Sequence, residues 1–183
     1  MRCKMFSTIS GLCLSILIAY SCSIAQTSNS PCENNPEYAK LDFWVGEWDV
    51  VNANGGKAGD NSIRKILNSC AIIEDWTGNG GSKGMSLFYY DPKLKTWKQV
   101  WLTQNAVATG GTKEKAMIEE FDNGAVRFQG EIIRPNGSTY IDRTTLTPLP
   151  DGRVRQVIET SNDEGETWTT GFDAFYTRKK KNS

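Results

Sequence analysis

Between Gly46 and Arg178 the chain breaks into ten short runs rich in β-branched and aromatic residues, separated by Gly, Pro, Asn and Asp. The turn residues recur at the roughly 8–12-residue spacing of all-β barrels and sandwiches. The runs lie near 46–54, 60–69, 71–78, 83–91, 96–104, 109–121, 125–134, 138–147, 153–161 and 167–178. No extended amphipathic helix and no solenoid repeat interrupts them. Ten antiparallel strands in meander order close most simply as an up-and-down barrel, which leaves no free strand edge. The expected fold class is therefore all-β, with a single barrel domain over residues 41–183.

The stretch Leu41-Asp42-Phe43-Trp44-Val45-Gly46-Glu47-Trp48-Asp49-Val50 heads that barrel. A short helical turn is expected over Glu37 to Phe43, running into the first strand. Gly46 lets the backbone bend where a side chain would clash, and the surrounding aromatics need a large apolar area to bury. Gly46-Glu47-Trp48 resembles the Gly-x-Trp signature of the lipocalin and calycin superfamily, at the position where that family carries it. The resemblance implies that Trp48 plugs one end of a barrel; the plainer alternative is that Trp44 and Trp48 are simply core. Lipocalins proper have eight strands, so ten is more similar to the fatty-acid-binding and nitrobindin branches. Nitrobindins hold haem through a histidine, and this chain contains none.

The missing histidine constrains chemistry throughout. It excludes Ser-His-Asp and Cys-His nucleophilic triads, histidine zinc sites and histidine-ligated haem. Proton transfer must use Tyr, Lys, Glu, Asp or water, and no cofactor or metal site is expected. Arg2 and Lys4 precede an apolar run from Ile9 to Tyr20, followed by the small residues Ser23-Ile24-Ala25. That order is that of a secretory signal over residues 1–25, cleaved near Ala25, and the run is too short for an ordinary membrane span. Ala19-Tyr20-Ser21-Cys22 is a poor lipobox, so an exported, periplasmic or secreted protein is preferred to a lipoprotein anchored at Cys22. Cys32 in the polar arm of residues 26–40 and Cys70 then remain, and one disulfide between them is expected in an oxidising compartment. Without Arg2 and Lys4 the chain has 19 basic and 21 acidic residues, so no basic field for nucleic acid exists.

Ser161-Asn162-Asp163-Glu164-Gly165-Glu166-Thr167-Trp168 matches the Asp-box pattern Ser-x-Asp-x-Gly-x-Thr-Trp completely. In sialidases that motif is structural, so it implies a β-hairpin turn with Trp168 packed beneath it and no activity. A two-residue turn at Asn136-Gly137 would align Ile132 with Ile141, Gly130 with Arg143 and Phe128 with Thr145. The inward face would then be Val126, Phe128, Ile132, Ile141 and Arg143, with Gln129, Glu131, Tyr140, Asp142 and Thr144 facing solvent. The turn at Pro150-Asp151-Gly152 would add Arg155, Val157 and Glu159 to the inward face. Arg143 inside a barrel is either neutralised by Glu159 or holds an anionic ligand group, since a guanidinium fork fits a carboxylate. A third hairpin, at Asp91 to Thr96, pairs Tyr89 with Lys98, Leu87 with Val100 and Met85 with Leu102. Its other face carries Ser86, Phe88, Tyr90, Trp97, Gln99 and Trp101, and either face could line the interior. Glu74 and Trp76 alternate in the same way.

An aromatic interior with few polar anchors is the usual make-up of a small-molecule pocket. Trp76, Gln99, Trp101 and Glu159 are the candidate ligand-binding residues, and the tryptophan faces suit an oligosaccharide better than a lipid. In size, export and strand pattern the chain is similar to small secreted oligosaccharide dehydratases of polysaccharide-degrading bacteria. That resemblance implies a carbon–oxygen lyase removing water from a uronic-acid end. Arg143 would clamp the carboxylate, and Tyr89 or Lys98 would act as base. The alternatives are a non-enzymatic binder of a small amphipathic or acidic ligand, and a filled barrel that serves as an interaction module. An enzyme calls for a wet pocket with Arg143 beside Tyr or Lys, a carrier for a larger apolar cavity, and a filled barrel for none.

Overall fold

A computed structural model describes residues 30–106 and 111–180. The signal segment, its cleavage site and the cysteines within it lie outside the described residues, as does the start expected for the sixth strand at 109. Ten antiparallel strands close into one barrel in which each strand pairs with its chain neighbours and the first pairs with the last. They are β1 (Gly46–Asn52), β2 (Lys57–Ile66), β3 (Ala71–Gly78), β4 (Lys83–Asp91), β5 (Thr96–Thr103), β6 (Lys113–Glu120), β7 (Val126–Ile133), β8 (Thr139–Pro148), β9 (Val154–Ser161) and β10 (Thr169–Arg178). The expected all-β, up-and-down architecture is the observed one. No helix among the described residues is long and apolar enough to cross a membrane.

One end of the barrel is filled. Two short 3₁₀ turns, Pro36–Ala39 and Asp42–Trp44, cross that end ahead of β1. Asn35 caps the first turn by accepting from the Glu37 N–H at 3.0 Å, and Pro36 occupies an early position where no N–H is needed. The Trp97 indole N–H donates to the Glu37 carbonyl at 2.8 Å, tying that turn to β5. Trp44 and Trp48 are fully buried and stack at 6.1 Å, and the Tyr176 ring meets Trp44 edge-on at 4.6 Å. Leu41, Val50, Ile63, Ile72, Phe88 and Phe128 complete this apolar plug. Trp48 therefore closes the barrel end, as the Gly-x-Trp resemblance implies.

The disulfide between Cys32 and Cys70 pins the N-terminal arm to the β2–β3 connection, with Cα atoms 5.1 Å apart. That connection turns through Leu67, Asn68 and Ser69, all with positive φ, so β2 ends at Ile66 rather than 69. Three successive left-handed residues are costly for side chains with a Cβ. The disulfide and the Ser30 hydroxyl, which donates to the Asn68 carbonyl, hold the segment in place.

One other connection corrects an expected register. Arg134 N–H donates to the Ser138 carbonyl and Gly137 N–H to the Arg134 carbonyl, both at 2.8 Å, with Gly137 at φ +83°. This is a three-residue loop, a type I turn followed by a left-handed glycine, and not the two-residue turn expected from Asn136-Gly137. Pro135 is the cause: its fixed φ suits the second position of a type I turn, and it has no N–H for a ladder. The pairs are therefore Ile132–Tyr140, Gly130–Asp142 and Phe128–Thr144. Every side chain of β8 is reversed from the expected face. Tyr140, Asp142 and Thr144 point inward, while Ile141 and Arg143 point outward. The loop at Pro150-Asp151-Gly152 has the same form, and Arg155, Val157 and Glu159 share the outer face with Arg143.

Gly46 has φ +154°, and a Cβ there would collide with the Arg178 guanidinium. That guanidinium lies 4.5 Å from the Trp48 ring centre and donates to the Val45 carbonyl at 3.0 Å, sealing the plug from outside. Gly46→Ala should displace the fork and strain the backbone, lowering stability by about 1–3 kcal/mol. Urea unfolding followed by tryptophan fluorescence measures this; an unchanged midpoint contradicts it.

Candidate functional site

Toward the opposite end the interior turns polar and then opens. A cavity of about 210 Å³ is walled by Trp76, Trp101, Ile158, Phe172 and Tyr176, with Glu74, Gln99, Lys113, Lys115, Thr144 and Gln156 among its polar groups. Most of these come from mid-strand positions with inward parity, so rigid sheet places them. Three inward glycines make the room. A Cβ on Gly59 would collide with the Thr77 carbonyl and lie 2.8 Å from the Trp76 ring. One on Gly84 would sit 3.2 Å from the Trp101 indole nitrogen. One on Gly130 would collide with the Glu114 carbonyl on β6. Such strand glycines mark close backbone or ligand approach.

Gly130 has a second consequence. It is the β7 partner of Asp142 and has no side chain, so lysines on β6 reach across β7 to a carboxylate on β8. Lys113 Nζ lies 2.6 Å from Asp142 Oδ2, and Lys115 Nζ pairs with Asp142 Oδ1. Lys115 also donates to the Thr144 hydroxyl at 2.6 Å. The Asp142 side chain is 0% exposed and that of Lys115 4%, whereas Lys113 is 24% exposed and stands toward the open end. Its ammonium is 5.5 Å from the Trp101 ring centre and 5.8 Å from that of Tyr140, within cation–π range.

On the facing side Glu74 accepts from Asn61 Nδ2 at 2.7 Å and bonds the Ser86 hydroxyl. Ser86 also accepts from the Gln99 amide at 3.1 Å. Gln99 Oε1 is buried with no hydrogen-bond partner among the described residues. Tyr176 donates to Gln156, closing the polar belt. Burial pushes the Glu74 carboxyl above its ordinary range, although Ser86, Asn61 and the Lys115 charge act the other way. Burial pulls Lys115 below the ordinary lysine range against the attraction of Asp142. Lys113 is held above it, because its Asp142 and Tyr140 contacts outweigh burial. Burial and the Glu74 charge keep the Tyr176 phenol protonated.

The candidate residues divide between the two faces of the wall. Trp76, Gln99 and Trp101 line the cavity. Tyr89 and Lys98 are paired as expected but face outward, where they border a separate depression of about 190 Å³. Arg143 and Glu159 are also outside: Arg143 Nε donates to Glu159 at 2.8 Å, and its guanidinium lies 3.5 Å from the Trp168 ring centre. Arg143 is thus the brace between β8, β9 and the Asp-box turn, not a clamp within the barrel. In that turn Asp163 accepts from the Ser161 hydroxyl at 2.7 Å and from the Thr167 N–H at 2.9 Å, which with the Thr167 hydroxyl lowers its pKa to about 2.

Lys113, Lys115 and Asp142 are the site residues that sequence reading misses. The run Lys113-Glu114-Lys115 is charged on both faces, so alternation gives no inward signal there. Gly130 inside a strand is the available clue to them. Among the described residues no cluster of Cys, Asp or Glu is suited to holding a metal ion. The ten-stranded closed barrel is consistent with a calycin-like fold. No family model matches the chain, and no curated protein matches its sequence.

A carboxyl with a raised folded-state pKa stabilises the fold fully below its unfolded value, near 4.5, and loses that contribution as pH rises through the folded value. Glu74→Gln should therefore flatten the fall in stability above pH 4.5. Urea midpoints measured across pH check this; parallel profiles for the two proteins contradict it.

Proposed function

We propose that the barrel binds a small acidic ligand with a flat apolar face, a sugar acid, within the aromatic-walled cavity. The observation that carries this is Lys113, a partly exposed ammonium set between Trp101 and Tyr140 at the open side of an otherwise buried polar site. Trp76 and Trp101 provide faces on which a sugar ring can stack, and the unpaired Gln99 oxygen can accept from a hydroxyl. Lys113 takes the part of carboxylate anchor that a guanidinium would otherwise fill. The cavity also favours binding over a barrel that is filled throughout.

Elimination of water from the uronic-acid end of an oligosaccharide is the second reading, supported by the opposite pKa shifts of Glu74 and Lys115 around one cavity. In that reaction the Lys115 amine takes the C5 proton and the C4 hydroxyl leaves with the proton of the Glu74 carboxyl. A C4–C5 double bond and water result. Lys113 offsets the charge that develops on the carboxylate. The Cys32–Cys70 disulfide is compatible with an exported enzyme or binder.

Thermal unfolding with glucuronate, galacturonate and the matching neutral sugars tests the binding proposal. At about 100 times Kd a uronate should raise Tm by roughly 5–10 °C, neutral sugars should do little, and Lys113→Met should abolish the shift. Equal shifts from neutral sugars, or none from any uronate, contradict it. Ultraviolet absorbance with oligosaccharides ending in saturated uronic acids separates the two readings. A rising signal from a conjugated double bond identifies the lyase, and a flat trace leaves the binder.

A further inference from the structure

The interior site contains an even number of opposite charges, and their placement is uneven. Two ammoniums, Lys113 and Lys115, both contact one carboxylate, Asp142. The other carboxylate, Glu74, has no ion pair among the described residues; its partners are the neutral Asn61 and Ser86. Glu74 nevertheless lines the same cavity as both lysines and feels the Lys115 charge. With both lysines protonated, the empty site is neutral when Glu74 is ionised and balances, at a distance, the ammonium that Asp142 leaves over. An anion seated against Lys113 supplies that balance at closer range. Glu74 would then be a second, uncompensated negative charge in a desolvated cavity, and such a group neutralises by taking a proton.

We infer that the cavity takes a monoanion together with one proton, and that the Glu74 carboxyl is the group that accepts it. This rests on the cavity being the ligand site proposed above. The groups around Glu74 fit the assignment. Across β2 it meets the Asn61 amide and across β4 the Ser86 hydroxyl, both able to hydrogen-bond either protonation state. From β10 it faces the Tyr176 phenol, which stays protonated, and from β6 the Lys115 ammonium, fixed on Asp142 and Thr144. Asp75, its chain neighbour, lies on the outer face in a pair with Arg64, and its charge further favours protonation of Glu74. Among the described residues no ammonium beyond Lys113 and Lys115 lines the cavity to receive a dianion, so a sugar acid with one carboxylate and an uncharged remainder is the ligand class.

Isothermal titration of the whole protein with glucuronate, in buffers of differing ionisation enthalpy, reads the proton directly. The expected result is uptake of close to one proton per ligand wherever Glu74 is ionised in the empty protein, with affinity falling about tenfold per pH unit there. Glu74→Gln should bind with no uptake and little pH dependence, since the amide keeps the shape and both hydrogen-bonding neighbours. Binding by the native protein with no uptake or with proton release at every pH overturns the inference while leaving the ligand site standing. Undiminished uptake in Glu74→Gln likewise overturns the assignment to Glu74. Failure of every uronate to bind at any pH sinks the ligand proposal itself, and the inference with it.

Discussion

The interior of this barrel depends on one buried carboxylate. Asp142 is withdrawn from solvent and is the ion-pair partner of both Lys113 and Lys115. Removing one partner of such a buried cluster typically costs about 3–5 kcal/mol, because the remaining charge stays desolvated. The cluster exists only because Gly130 leaves a gap on β7 through which side chains from β6 reach β8. A Cβ at that position would force β6 and β7 apart and break the contact as well. An apolar filling of the same volume would often replace such charges at no loss of stability.

The barrel divides its polar groups by face, and the division assigns roles. Arg143–Glu159, Arg155–Asp173 and the Asp-box turn lie on the outer wall, where ion pairs with access to solvent contribute modestly and mainly set geometry. Lys113, Lys115, Asp142 and Glu74 form a network inside, where each charge has a large effect on its neighbours. The apolar plug of Trp44, Trp48 and Tyr176 closes the far end of the barrel. Rigid strands rather than loops place the polar belt, so the sheet fixes the shape of the cavity.

The strand content was legible because alternation and turn residues agree along the whole barrel, and the Asp91–Thr96 hairpin has its expected register. The burial of Trp44 and Trp48 was legible too, because a bend at Gly46 brings large apolar rings together at the head of the first strand. The site was legible in part. Trp76, Gln99 and Trp101 stand out as an alternating polar and aromatic face, and they line the cavity. Arg143 misled because one residue of loop length reverses an entire strand. Pro135 contained the information: a residue without an N–H suits a loop position better than a ladder position. Lys113 and Lys115 were hidden by the charged residues on both faces of β6, and only the strand glycine opposite hints at what they reach.

The most direct test is a crystal structure of the protein grown with a saturating uronate. The account requires a sugar ring against Trp76 or Trp101 with its carboxylate at hydrogen-bond distance from Lys113 Nζ. A ligand held on the outer wall at Arg143, or density for water alone between the two tryptophans, would contradict it.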